Sequence, residues 1–318
     1  MCLALPFLFG CDKVGNLLGK GEIGKLAPST PQPGGEVDSS LAKEVSRHND
    51  GVSFRRDLDF PSTLSGRLRI SNSYDNVRVV EKSELGSETD SWNHKLETEV
   101  VFSKESGRFH ISLEQAGRRI LPDQEENAAV PAGASELEGE SLDFVLTSGG
   151  WKVGGNVGNE FRKVNWAEAM GREIPHLLVE TGAHPRTQWF SSSRRWKPGD
   201  RVVLTGSAIK MIHAADATGR IELVFEGEEA IAGHPCGVFS VTGDLSVRGE
   251  TDFLGKERDA EISISKGRIW ASLLHPLLLR EEYETVQTIR SGGDGGLATR
   301  SQGAIKVVKS RSWEPSDA

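Results

Sequence analysis

The sequence predicts a mainly β protein of antiparallel, curved sheets, with two similar halves and a short helical insert between them. Two observations predict this class. Apolar and polar residues alternate over many short stretches, which places one row of side chains inward and the other in water. Gly, Asn and Ser separate these stretches, as expected of antiparallel strands joined by turns. The 318 residues are enough for one large domain or two.

The composition argues against several classes of function. The chain has 38 Lys and Arg against 46 Asp and Glu, so its formal net charge is −8. Nucleic-acid phosphates need a basic face, so we expect no nucleic-acid partner. No stretch reaches the ~20 apolar residues of a membrane-spanning helix. The composition therefore indicates a globular body.

Residues 1–11, MCLALPFLFGC, form a signal-like segment. The triplet Leu8-Phe9-Gly10 directly before Cys11 resembles the lipobox of bacterial lipoproteins. This resemblance implies cleavage before Cys11, lipidation of its thiol, and attachment to the inner or outer membrane of the bacterial cell envelope on the extracytoplasmic side. A buried N-terminal strand or helix is the alternative interpretation.

Residues 12–38 are rich in Gly and Pro, the composition of a linker that holds a folded body away from a membrane. Gly19 to Gly24 match the dinucleotide-binding pattern GxGxxG. That pattern cradles phosphate only where a helix begins at the end of the loop. Pro28 and Pro31 prevent such a helix, so the match is a chance one in a Gly-rich linker. We expect no cofactor.

The first β-rich half is predicted over residues 39–158. Ser39 and Ser40 favour the start of a short helix over 40–47. Alternating stretches follow, and residues 122–140 form an acidic loop. The predicted strands are 51–58, 66–73, 76–83, 94–105, 107–115 and 141–153.

The helical insert is predicted over residues 159–184, where apolar residues recur at steps of three and four. The second β-rich half covers residues 185–318, with turns predicted at 232–235, 266–268 and 291–296. Residues 143–151 and 261–270 look alike, because each reads as a strand, a Gly turn and a Trp. This similarity suggests a duplicated unit.

In outline, this order of elements resembles bacterial carriers and lipoproteins in which a half-open β-sheet wraps a hydrophobic cavity. It also resembles the duplicated β-rich envelope lipoproteins of bacteria. The resemblance rests on the pattern of elements and on the lipobox at Cys11, and it extends to no enzyme family. It implies a binding or assembly role and no catalytic residue.

The distribution of reactive side chains predicts neither a catalytic centre nor a metal site. The eight His include no HxH or HExxH pair, and the three Cys form no CxxC. Cys236 is predicted to be a small buried hydrophobe. For the alternative of a hydrolase with residues on distant loops, the candidates are His184, His234 and Asp200.

The Trp residues are the candidates for ligand binding. There are seven Trp but only two Tyr. Trp189, Trp196 and Trp270 fall near predicted strand ends or turns, where they could line the mouth of an apolar groove. Ordinary core packing is the alternative, since large aromatic side chains dominate cores.

These observations lead to one main hypothesis and two alternatives. The main hypothesis is a non-enzymatic extracytoplasmic lipoprotein, held to the membrane through Cys11, that binds a hydrophobic ligand or an envelope protein, or acts in envelope assembly. The alternatives are the hydrolase and a cytosolic protein whose first residues are merely apolar.

Overall fold

The computed structural model describes most of the body of the chain. The described residues are 32–55, 64–83, 86–102, 106–120, 130–131, 139–148, 150–154, 194–213, 216–251, 257–274, 278–292 and 298–315. The predicted lipobox and the predicted helical insert at 159–184 lie outside these ranges.

The described chain begins with a small helix and a hairpin. Helix α1 spans Ser39–Ala42, and the Asp38 carboxylate caps it by accepting a hydrogen bond of 2.8 Å from the Ser40 backbone N–H. The cap is therefore Asp38 rather than a serine, and the helix ends well before the predicted residue 47. After the helix, strands β1 (Ser46–His48) and β2 (Gly51–Ser53) pair as an antiparallel hairpin.

Among the residues described, twelve further strands form one antiparallel sheet. In the first half the strands are β3 (Leu64–Ser83), β4 (Gly86–Phe102), β5 (Ser106–Ile120), β6 (Val130–Pro131), β7 (Ser141–Thr147) and β8 (Gly150–Gly154). In the second half they are β9 (Arg201–Leu204), β10 (Thr218–Ile231), β11 (His234–Thr251), β12 (Glu257–Ser272), β13 (Leu278–Gly292) and β14 (Ala298–Pro315).

The spatial order of the strands is β8-β7-β5-β4-β3-β14-β13-β12-β11-β10-β9, and β6 pairs with β5. Several strands reach 15 to 20 residues, because the alternating pattern continues through the bulges that interrupt the pairing.

The two halves of the chain join in the middle of this sheet. Strand β3 opens the first half of the sheet and β14 closes the second, and the two pair antiparallel from Leu64 with Pro315 to Lys82 with Ala298. The predicted mainly β, antiparallel class is confirmed. The described strands of both halves belong to one long sheet rather than to two.

One predicted turn is wrong, and with it the similarity that suggested a duplication. Residues 143–151 form β7, a turn and the start of β8, whereas 261–270 lie within the single strand β12. Gly267 marks a close approach instead of a turn. A Cβ there would lie 2.9 Å from the Tyr283 ring and 3.0 Å from the Val241 carbonyl oxygen.

The main core lies on one face of the second half, which we call the inner face. It is built from alternate residues of four neighbouring strands, so that Leu223, Val241 and Tyr283 share one row across the sheet. Above the sheet lie the β1–β2 hairpin, residues around Trp196 and a 3₁₀ turn at Gly206–Met211. The buried residues that these strands contribute to the inner face include Ile221, Leu223, Phe225, Phe239, Val241, Leu245, Val247, Ala260, Ile262, Ile264, Ile269, Tyr283 and Ile289.

Candidate functional site

Of the predicted ligand-binding tryptophans, Trp196 lies in the main core. It is fully buried and forms a cluster with Phe54, Phe225 and Phe239, with ring centroids 5.0 Å from Phe239 and 6.3 Å from Phe54. Its backbone exchanges hydrogen bonds with Val52. Trp196 therefore fixes the hairpin above the inner face.

Trp270 lies on the opposite face of the sheet. Its neighbours in β12, Ile269 and Ala271, both point to the inner face. The Trp270 indole Nε1–H donates a hydrogen bond of 2.8 Å to Glu229, and the Arg268 guanidinium lies 5.0 Å from the ring centroid. It packs in a second cluster with Ile231, Cys236, Val238 and Leu279.

The structure thus separates Trp196 and Trp270 onto opposite faces. Trp189 and Cys11 lie outside the described residues. A ligand-binding role for the three tryptophans and lipidation of Cys11 stay predictions.

The two hydrolase candidates that the structure describes, Asp200 and His234, lie apart. The Asp200 carboxylate accepts a hydrogen bond from the Lys197 backbone N–H, which closes the turn before β9, and the Asp200 backbone bonds to Phe225. His234 pairs with Ile231, six positions farther along β10. At ~3.3 Å per residue this separation is about 20 Å, too far for an acid–base pair. His184 lies outside the described residues.

Cys236 is a buried thiol, as predicted. Its S–H donates to the His234 carbonyl oxygen at 3.5 Å, while the His234 imidazole Nε2 lies 2.7 Å from the Ser272 hydroxyl. Burial raises the thiol pKa well above its ordinary range. Both side chains lie on one face of β11, yet the imidazole bonds to Ser272 and the thiol bonds to backbone. Cys236 is therefore a packing residue and not a reactive thiolate.

The inner face of β13 carries the chemistry that the sequence reasoning missed. Tyr283, Thr285, Gln287 and Ile289 all point to this face, and each is more than nine-tenths buried. Tyr283 donates a hydrogen bond of 3.1 Å to the buried Glu281 carboxylate. Strand β13 therefore places a row of polar side chains in the otherwise apolar inner face.

Thr285 and Gln287 are the unusual members of this line. Each is 2% exposed, and neither the Thr285 hydroxyl nor the Gln287 amide has a hydrogen-bond partner in the described part of the chain. Their cross-strand neighbours on β12 are Ile264 and Ile262. Leaving a buried polar group unpaired costs about 1–3 kcal/mol, so native proteins keep few of them.

Strand parity decides which side chains form this line. Glu282 and Glu284 hold even positions of β13 and face outward, so the odd positions, the buried Glu281 among them, turn inward. Val286 is consequently 41% exposed while Gln287 is buried. The strand thus places a valine in solvent and an amide in the core, the reverse of the usual arrangement.

The described ranges contain neither a cluster of metal ligands nor a helix that could span a membrane. No group of three or more His, Cys, Asp or Glu in them is placed to hold a metal ion. The helices in those ranges are too short or too polar to cross a bilayer.

Comparisons with known proteins give only distant similarities. No protein family model and no curated protein matches the chain. Among solved structures, a lipovitellin structure described by its lipid–protein interactions matches at 10% identity and a TM-score of 0.38, over 82% of this chain and 26% of its own. This chain therefore spans about a quarter of that protein.

Two further solved structures match with lower TM-scores. A putative outer membrane lipoprotein-sorting protein domain from Vibrio parahaemolyticus matches at 10% identity and a TM-score of 0.14, over 73% of this chain and 83% of its own. A DUF1329 family protein from Desulfovibrio piger matches at 11% identity and a TM-score of 0.14, over 81% and 88%. All three TM-scores lie below 0.5, so these similarities establish neither a shared fold nor a shared function.

Proposed function

We propose that this protein is a non-catalytic, extracytoplasmic envelope lipoprotein that binds a lipid-like ligand on the inner face of its sheet. The observation that carries the proposal is the composition of that face. Four neighbouring strands turn apolar side chains to that face, where they are buried, and the polar groups among them at Thr285 and Gln287 have no partner in the described chain. Unpaired polar groups cost stability in a packed core, and this supports a role for that face beyond stability.

The anchor in this proposal is Cys11, at the end of the apolar segment 1–11. A lipid on this residue would hold the body near a membrane, with residues 12–38 as the tether. The test is incorporation of radiolabelled palmitate into the full-length protein in a bacterial host. We expect label in the original chain and none in Cys11→Ala.

Cys236→Ala is the matched control for this labelling, because Cys236 is a buried thiol in the body. It should keep the label in full. Label that persists in Cys11→Ala, or no label in any chain, would exclude an anchor at Cys11.

Ligand binding is tested separately from the anchor. The full-length chain is made by cell-free synthesis without membranes, mixed with a bacterial lipid extract, passed through gel filtration and analysed by native mass spectrometry. We expect a reproducible added mass of a lipid that denaturation releases. A chain without added mass would contradict a lipid-binding function and would favour a protein partner.

A further inference from the structure

Residues 32–55, which we call the strap, comprise helix α1, the β1–β2 hairpin and the residues that flank them. The strap lies over the inner face, where Val45, Val52 and Phe54 are buried in the main core. The inner-face side chains beneath it are themselves packed and buried. A ligand therefore gains room on this face only when an element above the sheet moves away.

Phe54 fills a depression in the sheet that a glycine creates. Gly237 lies two positions from Phe239 on β11, so both positions turn to the inner face. A Cβ at Gly237 would lie 2.5 Å from the Phe54 ring and 3.0 Å from the Phe225 ring. Phe54 also stacks on Phe239, with ring centroids 5.9 Å apart. Removal of the strap would therefore leave an apolar pocket lined by Phe225, Phe239 and Gly237.

Backbone hydrogen bonds attach the strap near its start and at its hairpin. The Gly34 N–H donates to the Ala230 carbonyl oxygen at 2.9 Å, and Val52 exchanges two hydrogen bonds of 2.9 and 3.0 Å with Trp196. Strand β10, by contrast, pairs with β11 along its whole length apart from one bulge. The strap can therefore separate without breaking the pairing of the long strands.

The polar side chains of the strap do little to hold it closed. Arg47 pairs with Glu228, and Asp50 pairs with Arg195, each at 2.8 Å with 32–51% of the four side chains exposed. Ion pairs this exposed contribute little to stability. Ser53 is buried, and its hydroxyl has no hydrogen-bond partner in the described ranges. This burial costs free energy that opening recovers, so the closed strap depends mainly on its apolar side chains.

We propose that the strap is a displaceable plug: Phe54 occupies, in the free protein, the pocket that an acyl chain of a lipid fills in the complex. The strap opens as one unit to admit the lipid, and the sheet keeps its pairing. This proposal rests on the lipid-binding function proposed above and names how access to that same site is controlled. A ligand that binds only the open state has an affinity reduced in proportion to the fraction of open molecules.

Opening of the strap is tested without a ligand, by hydrogen–deuterium exchange and mass spectrometry of the full-length chain from cell-free synthesis. We expect peptides from residues 32–55 to exchange together and faster than peptides from β10 and β11. Gly34→Pro should accelerate exchange in the strap alone, because proline cannot adopt φ +111° and lacks the N–H that bonds to Ala230. Equal exchange rates in strap and sheet would overturn the displaceable strap, whether or not a lipid binds.

Control of access is tested by equilibrium dialysis of radiolabelled palmitic acid against the same chain. Phe54→Ala should bind palmitic acid about tenfold more tightly or better, because it destabilises the closed strap and empties the pocket. Ser53→Ala should bind it roughly fivefold more weakly, because loss of the unpaired hydroxyl stabilises the closed strap. The matched control is Phe109→Ala, which removes an equally buried ring on β5, six strands from β11, and should keep the original affinity.

Gly34→Pro separates opening of the strap from the making of a cavity, because it keeps the Phe54 ring. It should also bind palmitic acid more tightly, and it carries the comparison if Phe54→Ala does not fold. Tighter binding in Phe54→Ala but not in Gly34→Pro would mean that palmitic acid fills an engineered cavity, and this overturns the plug. Unchanged or weaker binding in Phe54→Ala overturns the plug while lipid binding stands. Absence of palmitic acid from the original chain and from every variant overturns the lipid-binding function itself.

Discussion

The strongest stability prediction concerns Phe54, the residue that joins the β1–β2 hairpin segment to the inner face. Its side chain is 1% exposed and stacks on Phe239 at 5.9 Å, with Trp196 edge-on at 6.3 Å. Its ring also occupies the space that a Cβ at Gly237 would take, 2.5 Å from that position. Phe54→Ala therefore leaves a cavity between hairpin and sheet.

The expected loss in the free energy of unfolding is about 3–5 kcal/mol, the usual range for a buried Phe→Ala change. The two aromatic contacts account for about 0.5–1.5 kcal/mol each within that total. With a urea m-value of about 2–3 kcal/mol/M, the midpoint of unfolding should fall by roughly 1.5 M. Urea denaturation followed by tryptophan fluorescence measures this shift.

Val203→Ala is the matched control, because Val203 is 45% exposed on β9. Its free energy of unfolding should stay within about 0.5 kcal/mol of that of the original chain. A loss below about 1 kcal/mol for Phe54→Ala would refute the reasoning, since it would mean that the hairpin does not pack on the sheet in solution.

Two further predictions concern single positions. Gly219→Ala should lower the midpoint of thermal unfolding more than Gly249→Ala does. Both glycines have a positive φ, which disfavours alanine. A Cβ at Gly219 would also lie against the Asp244 carbonyl oxygen, whereas a Cβ at Gly249 would face open space. Equal losses would contradict that contact. The raised pKa of Cys236 predicts that the contribution of this thiol to the free energy of unfolding is fully present below pH 9.0, the ordinary pKa of a thiol. The free energy of unfolding then falls as the pH rises further, because the unfolded chain releases a proton that the native thiol keeps. Urea titrations at several pH values should show this slope, and Cys236→Ala should lack it.

The alternation of residues was sufficient to predict the class of this fold. Strand β10 is a clear case, since Ile221, Leu223 and Phe225 are buried at every second position. The local pattern was insufficient to interpret Gly267, which it predicted as a turn. This glycine lies within a continuous strand, where it lets the Tyr283 ring and the Val241 backbone come close to its own backbone. The sequence shows a glycine in both situations, and only the tertiary partner distinguishes an approach from a turn.

The candidate site was harder to predict than the fold. Catalytic and metal sites show in a sequence as clusters of His, Cys and carboxylates, and Thr285 and Gln287 belong to no such cluster. Their importance depends on burial and on the lack of a partner among described residues, which are properties of the packed structure. The sequence alone did not decide which face of β13 turns inward, because Glu281, Glu282 and Glu284 place carboxylates at both odd and even positions.

The pairing of β3 with β14 has a consequence for how the chain folds. Their paired residues are between 216 (Lys82 with Ala298) and 251 (Leu64 with Pro315) positions apart in sequence, and contacts of such separation form slowly because a long loop must first be closed. During synthesis, one edge of the 20-residue β3 stays without its partner until the chain up to β14 has emerged. Such an edge is a template for intermolecular pairing. We therefore expect the β3–β14 pairing to come late in folding, and the edge of β3 to need protection from aggregation until β14 has been made.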